Sequence, residues 1–234
     1  MIQVDGRGDS PAANQTALAS LYERVGREKE SAVWVWRPHR QVAFGPRDIR
    51  HDGYDTAVTE VKDQGFEVVE RTVGGHPVAH TGDTLVFLRA IPIEDPRQGL
   101  HERYATMVGL IRAALTGIGV EVELGEPPAS FCPGEHSLSA DGKVVGIAQR
   151  VTARYAVTSG VVIIDRPTAV AKVLEPVYTA LELPFDPDTV GSIATAGGPA
   201  DSTIVAKAIT DALLDGHTPT AISAKDLIEP SDVT

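Results

Sequence analysis

The chain has 234 residues, 42% apolar and 23% charged, a composition typical of a folded globular protein and unlike that of disordered or fibrous chains. Its 21 basic and 32 acidic residues give a net charge of −11 with no basic run, so we expect no nucleic-acid partner. No stretch approaches the ~20 apolar residues of a membrane span, and the polar first eleven residues are unlike a secretory signal, so we expect a soluble, cytoplasmic protein.

The first half of the chain predicts helices and strands around a glycine-rich turn. Apolar residues at spacings of three and four predict helices, and short apolar runs bounded by glycine or proline predict strands. The predicted elements are a helix over 13–25, strands over 32–36 and 41–44, a helix over 54–64, a strand over 66–70, the glycine-rich turn 71–83 and a strand over 84–91.

The second half predicts a hairpin and three more helices. These elements are a helix over 101–117, a strand over 120–124, a hairpin of 138–139 with 143–152, a strand over 155–164, and helices over 168–181 and 202–215. The order is neither a regular strand–helix alternation nor strands alone, and it predicts an α+β fold with a large mixed, mostly antiparallel sheet flanked by helices. We expect one domain over 1–234, with 166–234 as a helical C-terminal part and no separate accessory domain.

The single cysteine, Cys132, is the first candidate for chemistry. One cysteine excludes an intrachain disulfide and a zinc site of several thiolates. Its neighbours Pro133 and Gly134 are turn formers, which favours a partly exposed thiol on a loop over an inert thiol in the core. Lys143 opens the next strand, where a hairpin would return it to this loop as a cation that favours thiolate. The alternative for Lys143 is a solvated turn residue.

The glycine-rich turn 71–83 is the second candidate. Gly74 and Gly75 would let a ligand approach the backbone and would free amide groups for an anion or a carbonyl oxygen, although such a pair is more often only a tight bend. The apolar run 84–88 follows it directly. A glycine turn beside an apolar wall suits a ligand with a polar head and a long apolar tail.

The histidines of these segments allow two further hypotheses. His76 and His80 are four residues apart, as are Cys132 and His136, and the four side chains together form a possible zinc ligand set. Four-residue spacing aligns ligands on a helix, however, whereas His76 and His80 flank a proline in a turn, so we predict no metal site. Activation of Cys132 by His80 or His136 is the favoured hypothesis of the two.

Three segments, in this order, resemble the lipoate–protein ligase and octanoyltransferase family. Residues 36–45 (WRPHRQVAFG) resemble its tryptophan–arginine strand pair, 71–80 (RTVGGHPVAH) its lipoyl-binding loop, and 143–150 (KVVGIAQR) its lysine strand. The likeness extends over residues 18–165. It implies the fold shared by biotin–protein ligases and class II aminoacyl-tRNA synthetases, in agreement with the α+β prediction.

Residues 131–139 (FCPGEHSLS) resemble the cysteine loop of the amidotransferase branch of that family. This branch moves an octanoyl or lipoyl group from a carrier, the glycine-cleavage H protein, to lipoyl domains of 2-oxoacid dehydrogenases. The resemblance implies a thioester on Cys132 and its transfer to an acceptor lysine, with Lys143 stabilising the oxyanion. The donor is the H protein or acyl carrier protein, and no tightly bound cofactor is implied.

The same resemblance implies a set of substrate-binding residues. Arg71 and the backbone of the two adjacent glycines would frame the reacting end of the acyl group, while apolar side chains line its tunnel. The expected set is Arg71, Gly74, Gly75, His76, Val78, His80, Val145, Gly146 and Ala148, with Val78, Val145 and Ala148 as the tunnel residues.

Two other functions stay open. An ATP-dependent lipoate–protein ligase, or one subunit of it, would use ATP, Mg²⁺ and Lys143 without needing Cys132. His76 in place of a third loop glycine, and Thr158 and Ser159 in place of paired histidines, disfavour adenylation. A non-catalytic lipoyl-binding protein would keep the pocket and bury the thiol.

Overall fold

A computed structural model describes residues 1–228, which form five α-helices and eleven β-strands. The helices are α1 (Pro11–Glu28), α2 (Tyr54–Asp63), α3 (Leu100–Gly117), α4 (Pro167–Ala180) and α5 (Ser202–Leu214). The strands are β1 (Ile2–Asp5), β2 (Ala32–Trp36), β3 (Gln41–Phe44), β4 (Glu67–Glu70), β5 (Val78–His80), β6 (Thr84–Pro92), β7 (Glu123–Leu124), β8 (Leu138–Ala140), β9 (Gly142–Val151), β10 (Tyr155–Ile163) and β11 (Thr220–Ser223).

The strands form two sheets. The large sheet has the order β11-β1-β2-β6-β10-β9-β8-β7, and the small one has the order β4-β3-β5. In the large sheet β1 pairs in parallel with β11 and β2, and every other neighbouring pair is antiparallel. The predicted α+β class with a mostly antiparallel sheet is confirmed. Strands β1, β5 and β11 and the separation into two sheets were not predicted, and β5 lies inside the segment 71–83 that was predicted to be a turn.

Helix α1 shows how the sequence sets the start and the buried face of an element. The side chain of Ser10 accepts a hydrogen bond from the Ala13 amide at 3.1 Å, and Pro11 begins the helix, where its missing N–H is not needed. Leu21 and Val25, four residues apart, are fully buried on the face that meets the large sheet. Leu18 and Tyr22, on the adjoining part of the same helix surface, line the cavity of the candidate site.

The helices cover both sheets. Helices α3 and α5 pack on one face of the large sheet, α1 packs on its other face, and α2 and α4 cover the small sheet. Residues 166–228 therefore fold back onto both sheets, whereas 229–234, the end of the predicted helical part, lie outside the described residues. None of the helices within residues 1–228 is long and apolar enough to cross a bilayer.

Candidate active site

A cavity of about 300 Å³ lies between the two sheets, with α1 on one side and the segments 71–75 and 131–134 on the other. Much of its wall is apolar, and a volume of this size is at the lower end of the range for small-molecule sites. The apolar side chains include Leu18, Tyr22, Trp36, Val78, Val86 and Leu88. Such a wall is complementary to an alkyl chain.

Eight of the eleven predicted site residues line this cavity, and three do not. Those that line it are Arg71, Gly74, Gly75, Val78, His80, Cys132, Gly146 and Ala148. Lys143, His76 and Val145 lie outside the lining. Val145 is fully buried in the core beneath α3 and α5, on the far side of β9 from Gly146, since successive strand residues point to opposite faces.

Cys132 occupies an unusual backbone conformation. Its φ is +42°, in the left-handed region that costs a residue with a Cβ about 1–2 kcal/mol. Its amide donates to the Tyr178 hydroxyl at 2.6 Å, and that hydroxyl donates to the Pro77 carbonyl at 3.0 Å. Burial holds the pKa of Tyr178 well above its usual range, so the hydroxyl keeps its proton. Tyr178 thus connects the cysteine loop to the glycine-rich turn. Because it lies on the apolar face of α4, nothing in the sequence indicated this connection.

Arg71 is the cation in contact with the thiol. Its Nη2 atom lies 3.6 Å from Cys132 Sγ and also donates to the His76 carbonyl at 2.8 Å, while Nη1 donates to the Gly74 carbonyl at 2.6 Å. These bonds fold the glycine-rich turn around the guanidinium. Nε of Arg71 is buried with no hydrogen-bond partner among residues 1–228.

Gly75 allows the sulfur to approach the turn. A Cβ at this position would lie 2.6 Å from Cys132 Sγ and 2.9 Å from Arg71 Nη2, closer than real Cβ contacts come. The φ of Gly75 is +100°, a conformation that residues with a Cβ rarely adopt. At Gly74, in contrast, no atom of residues 1–228 lies within 4 Å of an added Cβ.

Lys143 is fully buried, so it is not a solvated turn residue. Its Nζ donates to Glu126 Oε2 at 2.7 Å, to the Phe131 carbonyl at 2.8 Å and to the carbonyl of Cys132 itself at 2.7 Å. An ammonium group has three N–H donors, and all three are occupied. Lys143 therefore holds the backbone of the cysteine loop.

Glu126 connects both ends of the same loop and was missed by sequence reasoning. Besides Lys143, it accepts from the Gly134 amide at 2.8 Å and from the Ser137 hydroxyl at 2.7 Å. Its side chain is only 15% exposed. No sequence signal separates it from the other 31 acidic residues of this chain.

His80 is buried and uncharged. Its Nδ1 lies 3.0 Å from Thr84 Oγ1, and burial, followed by the charge of Arg71, lowers its pKa to about 3. A histidine with so low a pKa is a poor general base near neutral pH.

The other candidate metal ligands have separate partners. His136 stacks on Tyr104 with ring centroids 3.9 Å apart, and His76 Nδ1 lies 2.8 Å from Asp48 Oδ1. Within the part of the chain that the structure describes, no three His, Cys, Asp or Glu side chains converge as metal ligands.

Two sheets around an apolar cavity, with a cysteine loop at its wall, define the architecture of a lipoate-ligase-like α+β domain. A solved lipoate-protein ligase A with bound ATP matches with a TM-score of 0.77 at 14% identity, over 97% of this chain and 92% of the other. A bipartite lipoate protein ligase from Thermoplasma acidophilum matches with a TM-score of 0.69 at 14% identity, over 97% of this chain and 89% of the other. The fold predicted from the resemblance to lipoate ligases is confirmed.

Residues 10–213 match the family described as lipoyl protein ligase A/B catalytic domain, and the chain belongs to this family. An octanoyl-[GcvH]:protein N-octanoyltransferase from Geobacillus kaustophilus is 31% identical over 124 residues, 53% of this chain and 44% of the relative. A lipoyl-[GcvH]:protein N-lipoyltransferase from Listeria monocytogenes is 28% identical over 144 residues, 61% of this chain and 51% of the relative. The chain thus spans about half the length of these relatives, whose names match the predicted branch.

Proposed function

We propose that this protein transfers an octanoyl or lipoyl group from a carrier protein to a lysine of an acceptor domain through a thioester on Cys132. The observation that carries the proposal is the sulfur itself, which lines the apolar cavity and contacts Arg71 at 3.6 Å. The names of the relatives, which include octanoyl and lipoyl transferases acting on GcvH, support the same chemistry.

In the first step, the Cys132 sulfur attacks the acyl carbonyl of the donor amide and forms a C–S bond. The C–N bond then breaks, and the departing donor amine takes up a proton. In the second step, the acceptor lysine amine attacks the thioester, a C–N bond forms, the C–S bond breaks and the amine loses a proton. One difficult amide-to-amide exchange is replaced by two easier steps.

Arg71 is placed to stabilise charge in both steps. Its guanidinium lies beside the sulfur, so it stabilises negative charge on the attacking atom and on the departing thiolate. Lys143 was predicted to stabilise the oxyanion, and that role stays a prediction. Since its three N–H groups are bound to Glu126 and to two carbonyls, contact with an acyl oxygen requires the exchange of one of these bonds.

The carrier we propose as donor is the glycine-cleavage H protein, and lipoyl domains of 2-oxoacid dehydrogenases are the proposed acceptors. The donor is supported by the names of the relatives, whose carrier is GcvH. The acceptor is implied by the resemblance of residues 131–139 to the cysteine loop of the amidotransferase branch. Under this proposal the reaction exchanges one amide for another and needs no ATP, Mg²⁺ or resident cofactor.

Intact-mass measurement after incubation with octanoylated H protein tests the proposal. We expect a mass increase of one octanoyl group in the wild type, its loss on adding an acceptor lipoyl domain, and no adduct in Cys132→Ala. An adduct in Cys132→Ala, or none in the wild type, contradicts the mechanism. Transfer by Cys132→Ala with free lipoate, ATP and Mg²⁺, with release of pyrophosphate, would instead identify a ligase.

A further inference from the structure

A second cavity, of about 360 Å³, lies on the opposite face of the large sheet from Cys132. Two adjacent strands show this directly. Leu88 on β6 and Ser159 on β10 line the first cavity, whereas their chain neighbours Arg89 and Thr158 line the second. Because successive strand residues point to opposite faces, β6 and β10 lie between the two cavities, although Tyr104 of α3 and Gln149 of β9 also line the first. The N-terminal half of α3 forms the other wall.

Two arginines line this second cavity without an ion-pair partner among residues 1–228. The side chain of Arg89 makes no hydrogen bond within those residues, and its Nε is buried. Arg103 Nε donates to Gln149 Oε1 at 2.5 Å, and Nη1 donates to the Gln98 carbonyl at 2.8 Å. Its Nη2 is buried and has no partner among the described residues. A buried donor without a partner is unfavourable, so an oxyanion here would be stabilised.

The charge and the shape of the cavity favour a singly charged ligand. Glu102 also lines it, which leaves one net positive charge between the two arginines and this carboxylate. A phosphate dianion would be repelled by Glu102, whereas one carboxylate balances the charge. The wall also carries the apolar side chains of Ile91, Met107 and Leu110, beside the hydroxyls of Thr106 and Thr158.

We propose that this cavity binds a small monocarboxylate with a short apolar body, its carboxylate between Arg89 and Arg103 and its body against Met107 and Leu110. Burial lowers the pKa of Arg103 from its usual value, and the charge of Glu102 only partly opposes this shift. Gln149, which binds Arg103, also lines the Cys132 cavity, so the two sites share one hydrogen-bonded wall. The site does not depend on the acyl-transfer proposal.

The methionines of the chain provide a direct probe of this cavity. The chain has two, Met1 and Met107, and Met107 lines the cavity. Protein labelled with [methyl-¹³C]methionine is titrated with hexanoate, hexanamide or inorganic phosphate and followed by NMR. We expect a saturable shift of the Met107 methyl signal with hexanoate, little shift of Met1, and much weaker effects of hexanamide and phosphate. Hexanoate bound only in the Cys132 cavity would lie across β6 and β10 from Met107 and would not contact its methyl group.

Arginine variants test which groups bind the carboxylate. We expect the Kd for hexanoate, read at Met107, to rise at least about tenfold in Arg89→Leu and in Arg103→Leu, since each removes a charge-assisted hydrogen bond. Arg112→Leu, on an exposed position of the same helix, should leave the Kd unchanged. No shift of Met107, equal shifts with hexanamide or phosphate, or unchanged affinity in both variants overturns the proposal. The wild-type comparison of hexanoate with hexanamide decides it even where a variant fails to fold.

Discussion

Gly75 gives the sulfur of Cys132 its position because it carries no Cβ. In Gly75→Ala, the added carbon would lie 2.6 Å from Sγ, and alanine would be held at a φ of +100°. The turn or the thiol must therefore move. A misplacement near 1 Å can cost about 100-fold in rate, so we expect acylation of Cys132 to slow by about 10–100-fold. The rate of adduct formation with octanoylated H protein, followed by intact mass, measures this.

Gly74→Ala is the matched control for that substitution. It adds the same carbon one residue earlier, where no atom lies within 4 Å. We expect an acylation rate close to that of the wild type. Equal losses in both variants would mean that the flexibility of the turn, and not the contact with the sulfur, limits the reaction.

His80 makes the stability of the protein sensitive to acid. In the unfolded chain a histidine takes up its proton near pH 6.5, whereas folded His80 does so only near pH 3. Between these values the unfolded state binds more protons, so stability rises with pH and is lost as the pH falls below about 6.5. We expect His80→Gln to reduce the acid slope of the unfolding free energy by about 1.4 kcal/mol per pH unit between about pH 6 and 4. Urea denaturation of both proteins at several pH values measures the slopes, and parallel slopes would contradict this.

At the scale of elements, the cysteine loop is held by one carboxylate. Glu126→Gln removes the charge that faces the fully buried Lys143 ammonium. Breaking a buried ion pair costs up to about 3–5 kcal/mol, and Gly134 and Ser137 lose part of their anchor as well. We expect a lower unfolding free energy and slower acylation of Cys132, measured by urea denaturation and intact mass.

Glu135→Gln is the matched control, because it removes the same charge from the same loop. The side chain of Glu135 is exposed and makes no hydrogen bond or ion pair within residues 1–228. We expect a change in unfolding free energy within about 0.5 kcal/mol and unchanged acylation. Equal effects of the two substitutions would show that net charge, and not the bond to Lys143, explains the result.

Most elements could be predicted from apolar periodicity, because the spacing of apolar residues is a local property of the sequence. The helix predicted over 101–117 is α3, Leu100–Gly117. The strand predicted over 120–124 is only Glu123–Leu124, since Val120 and Val122 reach the core from an irregular segment. β11 is four residues long and mostly exposed, so it carries no apolar pattern. The division into two sheets depends on pairing between distant strands, which periodicity does not report.

The candidate site could be predicted only in part. Cys132 lies at the cavity wall beside the glycine-rich turn, and it is partly buried, in line with the expectation for a cysteine on a loop. Tyr178, 46 residues away in the chain, and Glu126 could not be found, because their partners meet only in the folded protein. Lys143, the ammonium expected beside the sulfur, binds Glu126 and two loop carbonyls, and Arg71 makes the contact with Sγ.

At the scale of the whole molecule, the two ends of the described chain lie together. β1 pairs with β11 in parallel, Ile2 opposite Thr220. Ile2 and Val4 share one buried cluster with Ala224 and Leu227. This cluster also contains residues of α1, the helix that closes one side of the Cys132 cavity. The segment after α5 therefore packs in the same cluster as α1 and stabilises this wall of the Cys132 cavity.

Truncating Leu227 tests this support. Its side chain is 8% exposed, and a buried Leu→Ala substitution typically costs about 2–5 kcal/mol. We expect Leu227→Ala to lower the unfolding free energy by about 2–3 kcal/mol in urea denaturation, at the lower end because the site is near the surface. Ile204→Ala, at a side chain 48% exposed on α5, is the control and should cost much less. Equal costs would mean that the segment after α5 does not pack on β1, and α1 would then lack this support.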